Sequence, residues 1–287
     1  MIRFFFSIAL LMFLWQGADA QHKPAYQLFT SEGEKTDYYQ LMEAVEEADV
    51  VFFGEFHDNP ICHWLQRELL IDLYDLKGDQ LVVGAEFFEA DDQLKIDEYL
   101  TGLISENNFH REARFWNNYD TDYKPLLEYT RENGIPFVAT NVPRRYANLT
   151  FREGVGALNS LPEASLEYIA PLPFEVDFDL RTYKMMAEMA HGEEKENFVY
   201  AQAIKDATMA HFIDQNLGEG QAFYHINGSF HSNYREGIVW YLERFRPELK
   251  IVVIGSVMEE KADEWKEENS GLADFILSIP ERMTRTY

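Results

Sequence analysis

The feature that most constrains this fold is a series of four short apolar runs, each followed by polar residues. The runs are continuously apolar rather than alternating, as is typical of strands buried on both faces of a parallel sheet. Open α/β sheets place their ligand sites at the carboxyl ends of such strands. The sequence therefore predicts a site at one edge of a parallel sheet. The four runs are residues 50–53, 81–83, 136–139 and 222–224.

The polar side chains that follow these runs have the chemistry of a binding or catalytic site. They comprise two carboxylates, two histidines, an amide and an arginine. Because the carboxyl ends of neighbouring parallel strands lie at the same edge of a sheet, one site built from four loops is the simplest interpretation. The side chains are Glu55, His57, Glu86, Asn141, Arg144 and His231.

Helical patterns alternate with the apolar runs along the chain. Between residues 61 and 73 an aliphatic residue recurs every four positions, and Asn59-Pro60 before them is a typical helix start. A fifth apolar run covers residues 251–254. This alternation predicts an α/β fold: a parallel sheet of about four to five strands flanked by helices. Residues 144–220 contain no convincing strand, and we expect a helical cap or subdomain there.

The first 20 residues have the pattern of a secretory signal. Arg3 precedes an apolar stretch, residues 4–15, that is shorter than the ~20 residues of a bilayer span, and Ala18-Asp19-Ala20 fits a signal-peptidase site. We expect cleavage after Ala20, which leaves residues 21–287 as one exported domain, periplasmic or secreted. An uncleaved membrane anchor is the alternative. Gln21 stands where a lipoprotein has cysteine, so no lipid anchor is expected, and no later stretch reads as a membrane span.

The charge balance excludes some classes of partner. Fifty acidic residues against 25 basic ones give a formal net charge of −25. Such a chain repels nucleic acid and anionic lipid headgroups, so a nucleic-acid function is not expected. Cys62 is the only cysteine of the sequence, which makes an intramolecular disulfide impossible.

Glu55 and His57 are two residues apart at a strand-to-helix turn. In an extended chain their side chains point the same way, which suits a pair of metal ligands or a base with its orienting carboxylate. A helix-capping turn with a surface histidine is the alternative. Glu86 lies among apolar residues and therefore requires a partner, since a buried unpaired carboxylate is costly. The alternative is that Glu86 makes a buried hydrogen bond that is purely structural.

The segment around residues 197–217 predicts an amphipathic helix with two polar interruptions on its apolar face. These are Gln202 and Asp206. Because an unpaired charge there would be costly, we expect Asp206 to meet a polar partner at the site, with His57, His63 and Arg144 as candidates.

The motifs together resemble the ChaN family of haem-binding bacterial lipoproteins, within the Tiki superfamily that also holds metal-dependent proteases and erythromycin-esterase-like enzymes. The resemblance covers roughly residues 45–255. It rests on five motifs in order: Gly54–Asn59 with His63 and Gln66, then Gly84–Phe88, Asn141–Arg144, Ala201–Ala210 and Gly228–His231.

The resemblance implies an exported protein that binds haem and takes part in haem or iron uptake. Haem needs an apolar slot, an axial ligand and basic groups for its propionates. The chain has 22 Phe and 16 Tyr and lacks the C-x-x-C-H motif of covalent attachment. A haem-linked dimer or an outer-membrane haem transporter would be the partner. The candidate haem-contacting residues are His57, His63, Tyr183 and His191 as axial ligands, Arg144 and Arg145 for the propionates, and Asp206.

The alternative is a metal-dependent hydrolase, a protease or esterase of the Tiki or erythromycin-esterase type. Glu55, His57, Glu86 and His231 would then hold a divalent metal or activate water, and Arg144 would stabilise developing negative charge. Arg144 could instead form a salt bridge with an aspartate or glutamate of this acidic chain. Neither H-E-x-x-H nor G-x-S-x-G occurs in the sequence.

Overall fold

A computed structural model describes residues 23–190 and 195–287 of the chain. Its centre is a mixed eight-stranded sheet with the strand order β2-β1-β8-β7-β3-β6-β4-β5. The strands are β1 Gln27–Thr30, β2 Lys35–Thr36, β3 Val50–Glu55, β4 Leu81–Glu89, β5 Phe137–Asn141, β6 Ala222–Gly228, β7 Ile251–Glu259 and β8 Phe275–Pro280.

The five strands that the apolar runs predict are all present, adjacent and mutually parallel, in the order β7-β3-β6-β4-β5. The sheet is larger than expected, because β8 adds a further parallel strand and the short β1 and β2 add antiparallel ones. Strand β4 is also longer than its apolar run, so Glu86 lies within the strand rather than beyond it.

Helices cover both faces of the sheet, as the alternating pattern predicts. On β3, Val51 and Phe53 belong to one apolar cluster while Val50 and Phe52 belong to the other, because successive side chains of a strand point to opposite faces. The longer helices are α1 Tyr38–Glu46, α2 Pro60–Lys77, α3 Gln93–Leu100, α4 Glu106–Glu112, α5 Lys124–Asn133, α6 Arg144–Glu153, α7 Arg181–Met189, α8 Lys195–Asn216 and α9 Ile238–Phe245.

Helix α2 begins where the sequence places a capping residue. The side chain of Asn59 accepts hydrogen bonds from the backbone N–H groups of Ile61 and Cys62, with Pro60 as the first helical residue. These contacts satisfy donors that have no partner within the helix. Because α2 directly follows β3, the cap fixes the turn that carries His57.

The segment from residue 144 to 220 is helical and contains no strand within its described part. Helix α8 packs against α6, α9 and strand β5, which places it over one face of the sheet and beside its carboxyl edge. No helix among residues 23–190 and 195–287 is long and apolar enough to cross a membrane. The expected signal sequence, residues 1–20, lies outside the described residues.

Candidate functional site

The polar residues of the four loops meet at the carboxyl edge of the parallel strands. In the central pair of strands, Glu55 at the end of β3 is in register with Gly228 at the end of β6. Strand β4 lies beside β6 and brings Glu86 to the same edge. The parallel sheet predicted from the sequence is present, and its strand order brings these side chains close together.

Glu55 holds His57 in a fixed orientation. The His57 Nδ1 atom lies 2.8 Å from a Glu55 carboxylate oxygen and donates its hydrogen to it. The buried carboxylate also accepts hydrogen bonds from the Tyr123 hydroxyl at 2.6 Å and from the Gln66 amide. With Nδ1 engaged, Nε2 is the ring nitrogen that remains, and no described residue makes a hydrogen bond to it.

A second imidazole, His231, lies between two buried carboxylates. Its Nε2 atom is 3.2 Å from Glu86, and its Nδ1 atom bonds to Asp206. Asp206 in turn accepts a hydrogen bond of 2.8 Å from the Tyr183 hydroxyl, while Glu86 accepts one of 2.7 Å from the Gly228 amide. These contacts form one continuous chain of hydrogen bonds beneath the site.

The charged groups of this hydrogen-bonded series shift one another's pKa values. Burial alone would lower the pKa of His231, but the charges of Glu86 and Asp206 raise it to about 9. Burial would raise the pKa of Glu86, yet the charge of His231 holds it well below its usual range. For Asp206, burial outweighs the attraction of His231, so its pKa is raised. His231 is therefore an imidazolium at neutral pH.

His57 also has a raised pKa. Burial lowers it, but the hydrogen bond to Glu55 and the charge of Glu86 more than compensate. Burial raises the pKa of Glu55, and the hydrogen bond from His57 together with the charge of His63 brings it below its ordinary value. The imidazole and the carboxylate thus stabilise each other's charged forms.

Gly228 allows the two halves of the site to approach each other. A Cβ atom at this position would lie 2.8 Å from the Cε1 and Nε2 atoms of His57 and 3.4 Å from Glu86. The backbone of Gly228 has φ −59° and ψ 141°, values open to any residue. Glycine is therefore required here for space, since His57 fills the position that a side chain would take.

Two cavities of about 690 and 440 Å³ lie above these residues. They share His57, Glu86, Lys205 and Tyr287 in their linings and so form one groove, which we call the edge groove. Ligand sites commonly have volumes of about 300–1,000 Å³. The apolar part of its wall includes Phe115, Trp116, Val142, Phe151, Phe198, Met186 and Met189.

The two arginines that open helix α6 differ in their surroundings. Arg145 pairs with Asp91 and lies over the ring of Tyr146, so the salt bridge considered for Arg144 is formed by its neighbour instead. Arg144 lines the edge groove and has no ion pair among the described residues. Only Arg144 is therefore placed to meet a ligand.

Three other candidates from the sequence are buried away from the groove. Tyr183 is 1% exposed and its hydroxyl is bound to Asp206. His63 uses one ring nitrogen towards Gln66 and the other towards the backbone carbonyl of His57. Asp206 is fully buried, and the expected identity of its partner was wrong: it meets His231 and Tyr183. These side chains support the site from below and do not line it.

The remaining sequence candidates divide into two cases. His191 lies outside the described residues. The proposed metal ligands Glu55, His57, Glu86 and His231 do converge, but they contact one another. In the part of the chain that the structure describes, no three His, Cys, Asp or Glu side chains are grouped as a metal centre requires. The metal set stays a hypothesis.

Sequence reasoning missed several side chains of the groove, among them Lys205, Tyr287 and Trp116. Lys205 and Tyr287 line both cavities, and the ring of Trp116 packs edge-on against His57 with 4.7 Å between centroids. Asp58 anchors Tyr287 indirectly, because it pairs with Arg285 at 2.8 Å. Lys205 is the residue before Asp206 on α8, so a helical-face argument extended by one position could have found it. Nothing local marks Trp116 or Tyr287.

Comparison with known proteins gives one family and a consistent fold. Residues 41–242 match the family model described as haem-binding uptake, Tiki superfamily, ChaN. A solved structure described as cofacial heme binding to ChaN of Campylobacter jejuni superposes with a TM-score of 0.65. It is 17% identical and covers 88% of this chain and 96% of that one. This likeness establishes the fold.

Two more distant similarities were found. The protein RETICULATA-RELATED 5, chloroplastic, of Arabidopsis thaliana is 23% identical over 201 residues, which are 64% of this chain and 27% of that protein. The chain thus spans about a quarter of that protein's length. A structure of a mutant of the erythromycin esterase EreC has a TM-score of 0.49 at 12% identity, covering 80% of this chain and 77% of that one.

Proposed function

This chain belongs to the haem-binding ChaN family of the Tiki superfamily, and on that premise we propose that it binds haem noncovalently in the edge groove. A haem site needs an apolar slot and an axial ligand. The groove supplies an aromatic wall that includes Trp116, Phe151 and Phe198, and a histidine at its base. Its volume is in the range of small-molecule sites.

The observation that carries the proposal is the orientation of His57. Metal-ligating histidines usually donate their other ring N–H to a carboxylate, which fixes the ring and its tautomer. Glu55 accepts that hydrogen from Nδ1, so in the neutral ring Nε2 carries the lone pair, and His57 lines both cavities of the groove. His57 would hold haem iron through Nε2, and the bound haem would supply the chemistry of its iron.

A hemin titration of the protein tests this assignment. We expect a saturable Soret shift at micromolar hemin, and we expect His57→Gly to weaken binding at least about tenfold and to change the spectrum. Free imidazole added to that variant should restore the wild-type spectrum, because it replaces the missing ligand. His211→Gln is the matched control, since His211 lies on α8 outside the edge groove. A His57 variant that binds hemin with the wild-type spectrum would contradict the assignment.

For the cellular role we propose an exported protein of haem or iron uptake. The signal pattern of residues 1–20 and the family support it. The cofacial heme binding described for the Campylobacter jejuni protein supports a dimer held together by haem. Light scattering of the protein with and without hemin tests the dimer, with a doubling of mass on haem addition as the expected result. Growth of a deletion strain on haem as sole iron source tests the role in uptake. The partner in that role would be an outer-membrane haem transporter.

A hydrolase is a second candidate, favoured by one observation. Two imidazole–carboxylate pairs, His57 with Glu55 and His231 with Glu86, meet at the same groove. Such pairs are the groups that general acid–base catalysis uses. An ester or peptide hydrolysis that is lost in both His57→Gln and Glu86→Gln, with or without added divalent metal, would support it. No turnover of ester or peptide substrates by the wild-type protein would remove it.

A further inference from the structure

The floor of the edge groove is acidic. Glu86 lines both cavities, Glu55 lines one, and Asp206 lies directly below them. The whole chain carries a formal net charge of −25. The overall field of the chain therefore repels an anion. A ligand that carries carboxylates, as haem does, binds here only if specific cations of the groove meet it.

Three lysine or arginine side chains line the groove, and one of them is already neutralised. Arg114 pairs with Glu89. Among residues 23–190 and 195–287, neither Arg144 nor Lys205 has a carboxylate within ion-pair distance. Other described lysines and arginines also lack such a pair, but Arg144 and Lys205 are the ones that line the groove.

Lys205 holds a central position. It lines both cavities, is partly buried, and its charge is near enough to lower the pKa values of Glu86 and Asp206. A partly buried ammonium without a hydrogen-bonded anion is costly, and a ligand carboxylate removes that cost. Arg144, at the first turn of α6, presents a planar guanidinium at the rim of the larger cavity, suited to a carboxylate.

We propose that Lys205 and Arg144 determine the specificity of the edge groove by binding the carboxylate groups of a porphyrin dicarboxylate. This inference rests on the proposed function and adds a ligand class to it. Binding then requires the carboxylates of the ligand, whereas it does not require iron. Porphyrin acids bind with or without metal, and their neutral esters are rejected.

Three probes separate recognition of carboxylates from ligation of iron. Hemin has both features, hemin dimethyl ester lacks free carboxylates, and metal-free protoporphyrin lacks iron. We expect Lys205→Gln and Arg144→Gln each to weaken hemin and protoporphyrin by about tenfold or more, the effect of a lost charged hydrogen bond. Affinity for the ester, low in the wild type, should stay within about twofold. Soret titration measures the iron compounds, and quenching of tryptophan fluorescence measures protoporphyrin.

Two control variants accompany these. Arg145→Gln, one position along the chain, removes a cation that pairs with Asp91 and should leave all three affinities unchanged. Lys205→Arg keeps the charge and should restore most of the hemin affinity. Thermal melts of each variant verify that the fold is retained.

The outcomes distinguish this inference from the proposed function. If hemin binding depends on His57 but Lys205→Gln and Arg144→Gln behave like Arg145→Gln, the cation assignment is wrong and haem binding stands. Equal weakening of acid and ester would also overturn it, because it indicates a structural role. If protoporphyrin binds through both cations and hemin affinity does not depend on His57, the assignment of His57 as the iron ligand is wrong and the cation assignment stands. Absence of binding by all probes overturns both.

Discussion

At the level of single residues, each of the two groove imidazoles is held by carboxylates, but with different consequences. His57 has one carboxylate partner and an unengaged Nε2, so it can act on a ligand. His231 has a carboxylate at each ring nitrogen and is only 5% exposed. Its position suits it to hold Glu86 and Asp206 together rather than to contact a ligand.

Asp206 offers a direct measure of this arrangement. Asp206→Ala should lower the free energy of unfolding by about 3 kcal/mol or more, because it leaves the His231 imidazolium and the Tyr183 hydroxyl without a buried partner. Urea denaturation measures the change. Asp214→Ala is the matched control two turns along α8, where a partly exposed pair with Arg246 should contribute less than about 1 kcal/mol. Equal effects of the two variants would argue against a buried charge pair at Asp206.

The pKa of His231 predicts how stability depends on pH. Its folded value of about 9 lies above the ordinary 6.5, so its contribution is fully present below pH 6.5 and is lost as pH rises through about 9. We expect the free energy of unfolding to fall by about 2–3 kcal/mol between pH 7 and pH 10 from this group. Urea titrations of the wild type and His231→Gln, compared across this pH range, isolate the contribution of His231 to the free energy of unfolding. Parallel pH profiles of the two proteins would show that His231 is neutral in the folded state.

At the level of elements, the site depends on how closely strand β6 approaches the turn after β3. The two strands are parallel neighbours in register from Val50 to Glu55, and Gly228 ends the run opposite Glu55. Its missing side chain leaves the space that the His57 ring occupies. The glycine therefore couples the end of one strand to the functional side chain of another.

Gly228→Ala should therefore impair ligand binding more than folding. The backbone at this position accepts alanine, but the added methyl group would displace the His57 ring, and the cost in stability should be about 1–3 kcal/mol, as for overpacking. We expect hemin affinity to fall by at least the factor seen for a His57 variant. In Gly156→Ala, the control, the new Cβ meets nothing within 4 Å. Unchanged hemin binding by Gly228→Ala would mean that His57 does not ligate from the position seen here.

At the level of the whole molecule, the signal pattern of residues 1–20 leads to a prediction about the N-terminus of the protein. We predict that the exported chain begins at Gln21, because Ala18-Asp19-Ala20 has the form of a signal-peptidase site. Intact-mass spectrometry of the protein recovered from outside the cytoplasm measures this, and replacing Ala20 with a large residue should block the cleavage. A recovered mass that still includes residue 1 would contradict the prediction.

The sequence by itself determined the local parts of this structure. Continuous apolar runs predicted five parallel strands, Asn59-Pro60 predicted the start of α2, and helical spacing predicted that Gln202 and Asp206 face inwards. These features depend on side chains within a few residues of each other, and the spacing of apolar positions encodes which face of an element is buried.

Only the tertiary structure decided which side chains become partners. It joined Asp206 to His231 rather than to His57, turned Tyr183 inwards, and separated Arg144 from Arg145 although they are adjacent in sequence. It also brought Lys205 and Trp116 to the groove. The physical reason is that a burial pattern says that a polar group needs a partner, whereas the partner's identity depends on strand order and helix packing between segments far apart in the chain.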